Sequence, residues 1–222
     1  MIKLILKFVF GLYSVLSFAQ LPDGFVYVSN VIPDLDIELR YLTDNNFVGS
    51  PIDGYLENKL ILTKETAEAL KLVNEDLKSH DLCLKVYDGY RPQRAVNHFI
   101  QWAKKLNDTV TKSIFYPNVK KIDLFKEDYI ASRSGHSRGS TVDITIVDVN
   151  TGNPIDMGSS YDFFGKESWV NYNEITKEQK ANRIFLQELM KKYGFTGYPK
   201  EWWHFTLINE PFPNTYYDFL IQ

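Results

Sequence analysis

Residues 141–149 constrain the fold of this chain most strongly, because side chains of different character alternate along them. Val142, Ile144 and Ile146 fall on one face of an extended segment, and Asp143 falls on the opposite face. The alternation predicts a β-strand over 141–149 that has an apolar face and carries a carboxylate on the other side.

Two further strands are predicted, and strands and helices come in separate groups along the chain. Alternation over 82–86 ends at the turn from Asp88 to Pro92, and the last strand covers 202–208. Residues 107–129 follow no assignable pattern. Grouped elements favour a mostly antiparallel sheet. The predicted fold class is therefore α+β, a single domain with a mostly antiparallel central sheet and helices packed against it.

Three segments predict the helices of this fold. Over 63–78, apolar residues recur at helical spacing with charged residues between them. A second helix begins at Pro92, which suits a first helical position, and runs to about residue 106. The third begins with a capping box, in which Thr176 is followed three residues later by Gln179.

Composition predicts one globular domain and excludes one class of partner. The chain has 222 residues, of which 44% are hydrophobic and 15% aromatic, enough for a well-buried core. Neither a linker nor a repeat interrupts residues 20–222. The formal charge is -3, with both signs mixed along the chain. Nucleic acid is excluded as a partner, because binding phosphates requires a basic face.

The first nineteen residues differ from the rest and predict a secretory signal peptide over 1–19. Lys3 and Lys7 precede an apolar stretch that closes at Ala19. This stretch is shorter than the roughly 20 residues that span a bilayer, so we expect cleavage rather than a stable membrane anchor. The mature protein is then exported, to the periplasm. The single cysteine, Cys83, cannot form an intramolecular disulfide, and the sequence does not indicate an oligomeric state.

A loop that contains glycine joins His136 to the strand that carries Asp143. The two residues are seven positions apart, and an odd separation would place them on opposite faces of an unbroken strand. His136 must therefore lie in the loop, where Gly139 allows the backbone to turn back towards Asp143. The loop predicts two converging metal ligands.

A second pair, Glu201 and His204, lies at the start of the last strand. Pro199 delays the start of this strand, so Glu201 lies just before the strand and His204 lies within it. Both side chains can then reach one site.

The two pairs together have the composition of a catalytic zinc site. His136, Asp143 and His204 form a three-ligand set that leaves a fourth position for water. Glu201, beside that water and not a ligand, would be its general base. Either pair alone is weak evidence, because a lone His or Asp is more often a structural residue.

These fragments, Ser134-x-His136 to Asp143 and Glu201-x-x-His204, resemble the zinc signature of the VanX-type D-alanyl-D-alanine dipeptidases. The similarity extends to three further segments in the same order and spacing, so it covers essentially the whole chain after residue 19. These segments are Leu39-Arg40-Tyr41, Asp88-Gly89-Tyr90-Arg91-Pro92, and Asp156-Met157-Gly158 through Asp162-Phe163.

The resemblance implies a zinc peptidase that hydrolyses the small dipeptide D-Ala-D-Ala to two D-alanines. One zinc ion per chain would be held by His136, Asp143 and His204. Glu201 would act as acid and base, and Arg91 would stabilise the tetrahedral intermediate. The predicted substrate-binding residues are Asp162, Ser134, Tyr41 and Asp88.

Three of the non-ligand roles have a plainer alternative. Arg91 carries a fork of donors that suits an oxyanion, but it could simply pair with Asp88. Asp162 could be a turn residue rather than a carboxylate that binds an ammonium and blocks longer chains. The hydroxyl of Ser134 could only cap a loop.

Two other functions stay open. A murein D,D-carboxypeptidase or L,D-endopeptidase would share the zinc pattern, and Asp162 is the residue that discriminates. A non-catalytic murein- or peptide-binding module would suit the many Tyr and Trp residues, but it has no need of an unligated Glu201. Export removes the enzyme from the compartment where D-Ala-D-Ala is made, so salvage of wall-derived dipeptide is the expected role.

Overall fold

A five-stranded sheet lies at the centre of the fold. The structure is a computed structural model, and it describes residues 20–222. The predicted signal peptide, 1–19, lies outside the described residues. None of the helices in the described part of the chain has both the length and the apolar character of a membrane span.

The strands are Phe25–Tyr27 (β1), Asp36–Ile37 (β2), Ile61–Thr63 (β3), Leu82–Asp88 (β4), Thr141–Asp148 (β5), Phe195–Tyr198 (β6) and Glu201–Leu207 (β7). The helices are Lys64–Lys78 (α1), Gln93–Lys104 (α2), Lys112–Phe115 (α3) and Lys177–Lys192 (α4).

The central sheet has the strand order β2-β4-β5-β7-β6, and only its β2–β4 pair is parallel. The strands β1 and β3 form a separate antiparallel pair. Helix α1 packs against β4, and α4 packs against β6. The predicted α+β class is therefore confirmed. The strands β1, β2, β3 and β6 were not predicted, because segments of two to four residues are too short to show an alternating pattern.

The predicted strand over 141–149 is β5, the middle strand of the sheet. It is buried on both faces, and only Asp148 at its end is partly exposed. The apolar face carries Val142, Ile144 and Ile146 into the core as predicted. Asp143 is therefore a carboxylate in the most constrained part of the fold, which fixes its position.

The three predicted helices are present, with one error of detail. In α4 the capping box is complete, because Thr176 and Gln179 each accept a hydrogen bond from the other's backbone N–H. Pro92 was predicted at the first helical position, but it precedes α2 with extended backbone, and Gln93 is the first helical residue. The unassigned segment 107–129 contains α3 and one 3-10 turn.

Candidate metal centre and active site

Strands β5 and β7 place Asp143 and His204 directly opposite one another. Their antiparallel register pairs Thr141 with Thr206 and Asp143 with His204. Residues that are opposite in a ladder project their side chains on the same face. The distance from Asp143 Oδ1 to His204 Nδ1 is accordingly 3.0 Å.

His136 reaches the same point from the loop that precedes β5. It lies in a short 3-10 helix, Gly135–Arg138, which ends at Gly139 with φ of +80°. A Cβ at this glycine would lie 2.2 Å from an aromatic carbon behind it, so both conformation and space require glycine. His136 Nε2 lies 3.3 Å from Asp143 Oδ1 and 3.3 Å from His204 Nδ1. The predicted turn at Gly139 is confirmed.

The three ligand atoms fit a zinc ion. They are separated by 3.0 to 3.3 Å, and ligands about 2.0–2.1 Å from a tetrahedral zinc would be about 3.3 Å apart. His136 Nδ1 donates to the carbonyl of Gly89 at 2.8 Å, which leaves Nε2 unprotonated and directed at the site. Two imidazole nitrogens and a carboxylate oxygen therefore converge on one point, as metal binding requires.

The electrostatics of this point favour a cation. Burial would raise the pKa of Asp143, but His136 and His204 lower it far below the usual carboxyl range. Burial and the positive charge of Arg91 lower the pKa of His136. Burial would also lower the pKa of His204, but Asp143 and Glu201 outweigh it and raise this pKa. The carboxylates thus stabilise positive charge at the site, which a metal ion would supply.

Glu201 faces the ligands because the β6–β7 ladder is irregular. The register shifts between Gly197 and Tyr198, so that Tyr198 pairs with Glu201, the first residue of β7. Glu201 and His204 are an odd number of residues apart, yet Glu201 Oε2 lies 3.4 Å from His204 Nδ1. Burial raises the pKa of Glu201, which suits a general base. The predicted convergence of this pair is present.

Arg91 extends from the turn after β4 towards the ligands and lines the cavity above them. Its Nε donates to Asp88 Oδ2 at 2.8 Å, and its Nη2 lies 3.4 Å from Asp143 Oδ2. Asp88 also accepts a hydrogen bond from Tyr55 at 2.7 Å, is fully buried and does not line the cavity. Direct contact of Asp88 with the substrate stays a prediction. The position of Asp88 favours the alternative, in which it pairs with Arg91.

A cavity of about 410 Å³ lies over the three ligands, and Asp162 and Tyr41 line it. Asp162 is 6% exposed and accepts a hydrogen bond from Tyr41 Oη at 2.9 Å. Its backbone has φ of +60°, an uncommon conformation for a residue other than glycine. Burial, and then the negative charge of Asp143, raise the pKa of Asp162 well above its usual value. A cation bound in the cavity would relieve this charge.

Ser134 lines the same cavity and also has the local role that its sequence context suggested. It precedes the 3-10 helix that carries His136, and its Oγ accepts a hydrogen bond from the backbone N–H of His136 at 3.3 Å. The hydroxyl proton is not used in that bond, so Ser134 can still donate to a substrate.

The sequence as a whole matches a known family. The Peptidase_M15 model, described as D-ala-D-ala dipeptidase, matches residues 22–222. The chain belongs to this family. It is 39% identical over 199 residues to a D-alanyl-D-alanine dipeptidase of Enterococcus faecium, across 90% of this chain and 98% of that protein. A Streptomyces coelicolor protein of the same name is 40% identical over 197 residues, with 89% and 98% covered. One from Escherichia coli is 30% identical over 177 residues, with 80% and 81% covered.

Membership of the M15 peptidases confirms that the protein is a metallopeptidase, and therefore a hydrolase. The ligand set of His136, Asp143 and His204, together with this family of zinc peptidases, also confirms the predicted zinc cofactor. The roles of single residues stay predictions.

Two tyrosines of this M15 peptidase site were not predicted from the sequence. Tyr55 donates to Asp88, and Tyr161 lies 3.1 Å from Asp143 Oδ2. Both are buried aromatic residues in a chain with 14 tyrosines, so composition and spacing do not separate them from the core. The one available signal for Tyr161 was its position next to Asp162.

Proposed function

We propose that this peptidase hydrolyses the free dipeptide D-Ala-D-Ala to two D-alanines. The observation that carries the proposal is that Asp162 and the metal ligands line one cavity. In a dipeptide a single carbon separates the ammonium nitrogen from the scissile carbonyl. A cavity lined by both Asp162 and the metal ligands can therefore bind the ammonium group at the carboxylate and the scissile carbonyl at the metal site. The names of the relatives from Enterococcus faecium and Streptomyces coelicolor agree with this substrate.

In the proposed reaction, Glu201 moves the proton. Zinc, when bound, polarises the scissile carbonyl and lowers the pKa of water towards about 7. Glu201 accepts a proton from the attacking water, because its carboxylate lies beside the ligand atom of His204. The carboxyl then donates this proton to the nitrogen of the leaving D-alanine. Burial raises the pKa of Glu201. Its carboxylate can then accept a proton, and its carboxyl can donate one, with less difference in free energy near neutral pH.

Arg91 stabilises the negative charge that develops on the carbonyl oxygen. Its side chain is 12% exposed and enters the cavity, while Asp88 holds its Nε at 2.8 Å. A guanidinium has five N–H donors in a fixed plane, so a fixed Nε leaves the remaining donors pre-oriented. A donor that is oriented before the reaction costs no reorganisation in the transition state.

Asp162 binds the ammonium group and limits the length of the substrate. Without a cation its burial and its proximity to Asp143 disfavour the charged form. An ammonium group in hydrogen-bond contact with Asp162 and Tyr41 offsets this unfavourable charge. A peptide with an acylated amino end places a neutral amide there, and longer chains meet the buried wall that these residues form.

The experiment that tests this proposal compares D-Ala-D-Ala with N-acetyl-D-Ala-D-Ala and with a murein pentapeptide that ends in D-Ala-D-Ala. We expect zinc-dependent release of D-alanine from the free dipeptide and little from the two blocked substrates. Cleavage of the blocked substrates in preference to the dipeptide would show a D,D-carboxypeptidase. If the protein binds stoichiometric zinc but cleaves none of the three substrates, the alternative of a non-catalytic binding module would be favoured.

We propose that the enzyme acts outside the cytoplasm, on dipeptide that wall turnover releases. This proposal rests on the signal-peptide pattern of 1–19, with Lys3 and Lys7 before the apolar stretch. Residues 1–25 fused to a reporter that is active only after export test the point. A reporter that stays cytoplasmic contradicts it.

A further inference from the structure

Tyr161 connects the metal site to the pocket for the substrate amine. Its hydroxyl lies 3.1 Å from Asp143 Oδ2 and 3.2 Å from the hydroxyl of Tyr41. Tyr41 in turn donates to Asp162 at 2.9 Å. A continuous chain of hydrogen bonds therefore runs from a metal ligand, through two tyrosines, to Asp162.

The ring of Tyr161 is held firmly, and this fixes the position of its hydroxyl. The side chain is 4% exposed and does not line the cavity over the metal ligands. It stacks on Tyr87 with ring centroids 4.6 Å apart and meets the edge of Trp203 at 5.5 Å. Tyr161 therefore has no direct access to a substrate, and any effect on the reaction must act through Asp143 or Tyr41.

The two oxygens of Asp143 have different surroundings. Oδ1 faces the ligand nitrogens of His136 and His204. Oδ2 points away from them, towards the Tyr161 hydroxyl at 3.1 Å and Arg91 Nη2 at 3.4 Å. Donors to the second oxygen orient a carboxylate ligand, and loss of such a partner typically weakens metal binding about 10- to 100-fold.

The hydroxyl protons can be assigned along the chain. Tyr41 gives its proton to Asp162, so its oxygen is left as an acceptor. Tyr161 has one proton and two acceptors within reach, Asp143 Oδ2 and the oxygen of Tyr41. The two acceptors lie at similar distances, so Tyr161 shares its proton between them, with the stronger bond to the ionised carboxylate of Asp143 and the weaker one to Tyr41.

We propose that Tyr161 is a positioning residue that holds Asp143 in its ligating orientation and supports Tyr41 at the amine pocket. The inference rests on the proposed zinc site. It predicts that removal of one hydroxyl, outside the cavity, weakens zinc binding directly and dipeptide binding indirectly.

The test is the zinc affinity of Tyr161→Phe, measured by competition with a chromophoric chelator. We expect the dissociation constant for zinc to rise about 10- to 100-fold, and KM for D-Ala-D-Ala at saturating zinc to rise more than kcat falls. Tyr87→Phe is the matched control, because it removes a hydroxyl from the stacked partner ring and should leave zinc affinity within twofold. A Tyr161→Phe variant with native zinc affinity overturns the inference.

Tyr41→Phe separates the two ends of the chain. It should raise KM but leave zinc affinity unchanged, because the bond from Tyr161 to Asp143 stays intact. Equal loss of zinc affinity in both variants would show a general structural effect and overturn the inference. A native protein that binds no zinc would instead refute the proposed function, so the two failures are distinguishable. Thermal unfolding of each variant confirms that it is folded.

Discussion

Asp143 and His204 are register partners on neighbouring strands, and their ligand atoms lie 3.0 Å apart. The backbone hydrogen bonds of the sheet thus position two of the three metal ligands before any metal is bound. His136 is the third ligand, and it comes from a loop whose turn depends on Gly139. Such a site is largely pre-formed, so metal binding should stabilise the folded state without reorganising it.

Zinc should therefore raise the thermal stability of the protein. At a free concentration 100-fold above its dissociation constant, the gain is about 2.7 kcal/mol, or roughly 5–11 °C in Tm for a chain of this size. Differential scanning calorimetry of the chelated and zinc-loaded protein measures this shift. His136→Ala should abolish it, whereas the exposed His80→Ala should not. An equal shift in His136→Ala would mean that the zinc binds elsewhere.

Glu201→Gln should separate catalysis from metal binding. Glu201 is not one of the three ligand residues, so the variant should retain one zinc per chain. Loss of the carboxylate should lower kcat by about 10²- to 10⁴-fold, because an amide cannot accept the proton. Zinc content and turnover are measured on the same sample, with Glu188→Gln on the exposed side of α4 as control. Turnover near the native rate would disprove the role of Glu201 as base.

Asp88→Asn tests whether Asp88 acts through Arg91 rather than on the substrate. The substitution removes the charged partner at 2.8 Å from Arg91 Nε and leaves Asp143 as the nearest remaining carboxylate. We expect kcat to fall about 10- to 100-fold, with a smaller change in KM. Asp36→Asn, in a half-exposed pair with Lys85, is the matched control and should have little effect. A change confined to KM would support direct contact between Asp88 and the substrate.

The parts of the site that follow from local pattern were predictable from the sequence. Alternation over 141–149 placed Asp143 on its face of β5, and the capping box of Thr176 and Gln179 fixed the start of α4. The position of Gly139 similarly required a turn that returns His136 to the strand. In each case the information lies within about ten residues.

The parts that depend on register between strands were only partly predictable. Pro199 indicated that Glu201 and His204 reach one site, but the register shift between Gly197 and Tyr198, which turns Glu201 towards the metal ligands, was not predicted. The position of Asp88 behind Arg91 also depends on strand register. A shift between Val86 and Asp88 sets it opposite Asp143 and behind Arg91. Strand register is decided by tertiary packing as well as by local pattern.

The pair of Asp218 and Arg94 should make stability depend on pH in the acid range. The backbone N–H of Arg94 donates to Asp218 at 2.7 Å, and its Nε does so at 2.9 Å. Burial raises the pKa of Asp218, but these bonds to Arg94 outweigh it and lower the pKa. A carboxyl with a lowered folded-state pKa stabilises the protein above its unfolded pKa of about 3.9 and loses this effect as pH falls through the folded pKa.

Asp218→Asn should accordingly lower Tm at pH 7 and have a smaller effect near pH 3. Both side chains are more than 40% exposed, so solvent screening limits the difference to about 1 kcal/mol or less. Tm measured from pH 7 to pH 2.5 gives the profile, and Asp23→Asn, an exposed Asp with no ion pair among residues 20–222, is the control. A Tm difference that does not change with pH would contradict the assignment to this carboxylate.

Arg183 should hold the loop that carries Asp162. Its fully buried guanidinium on α4 donates to the carbonyls of Met157, Glu167 and Trp169 at 2.6 to 2.7 Å. These three carbonyls flank Asp162 on both sides, so one side chain fixes both ends of its loop. Burial lowers the pKa of Arg183 to about 10, which leaves it charged at neutral pH.

Arg183→Met should leave the carbonyls of Met157 and Glu167 without a partner, whereas the carbonyl of Trp169 keeps the N–H of Tyr172. The cost is about 2 kcal/mol or more in unfolding free energy. Tm should then fall by roughly 4–8 °C. Because Asp162 is displaced but the metal ligands are not, KM for D-Ala-D-Ala should rise while zinc affinity stays native. Arg183→Lys keeps the charge and one donor nitrogen, so both the loss of Tm and the rise in KM should be smaller. A lower Tm with unchanged KM would show that the loop keeps Asp162 in place without Arg183.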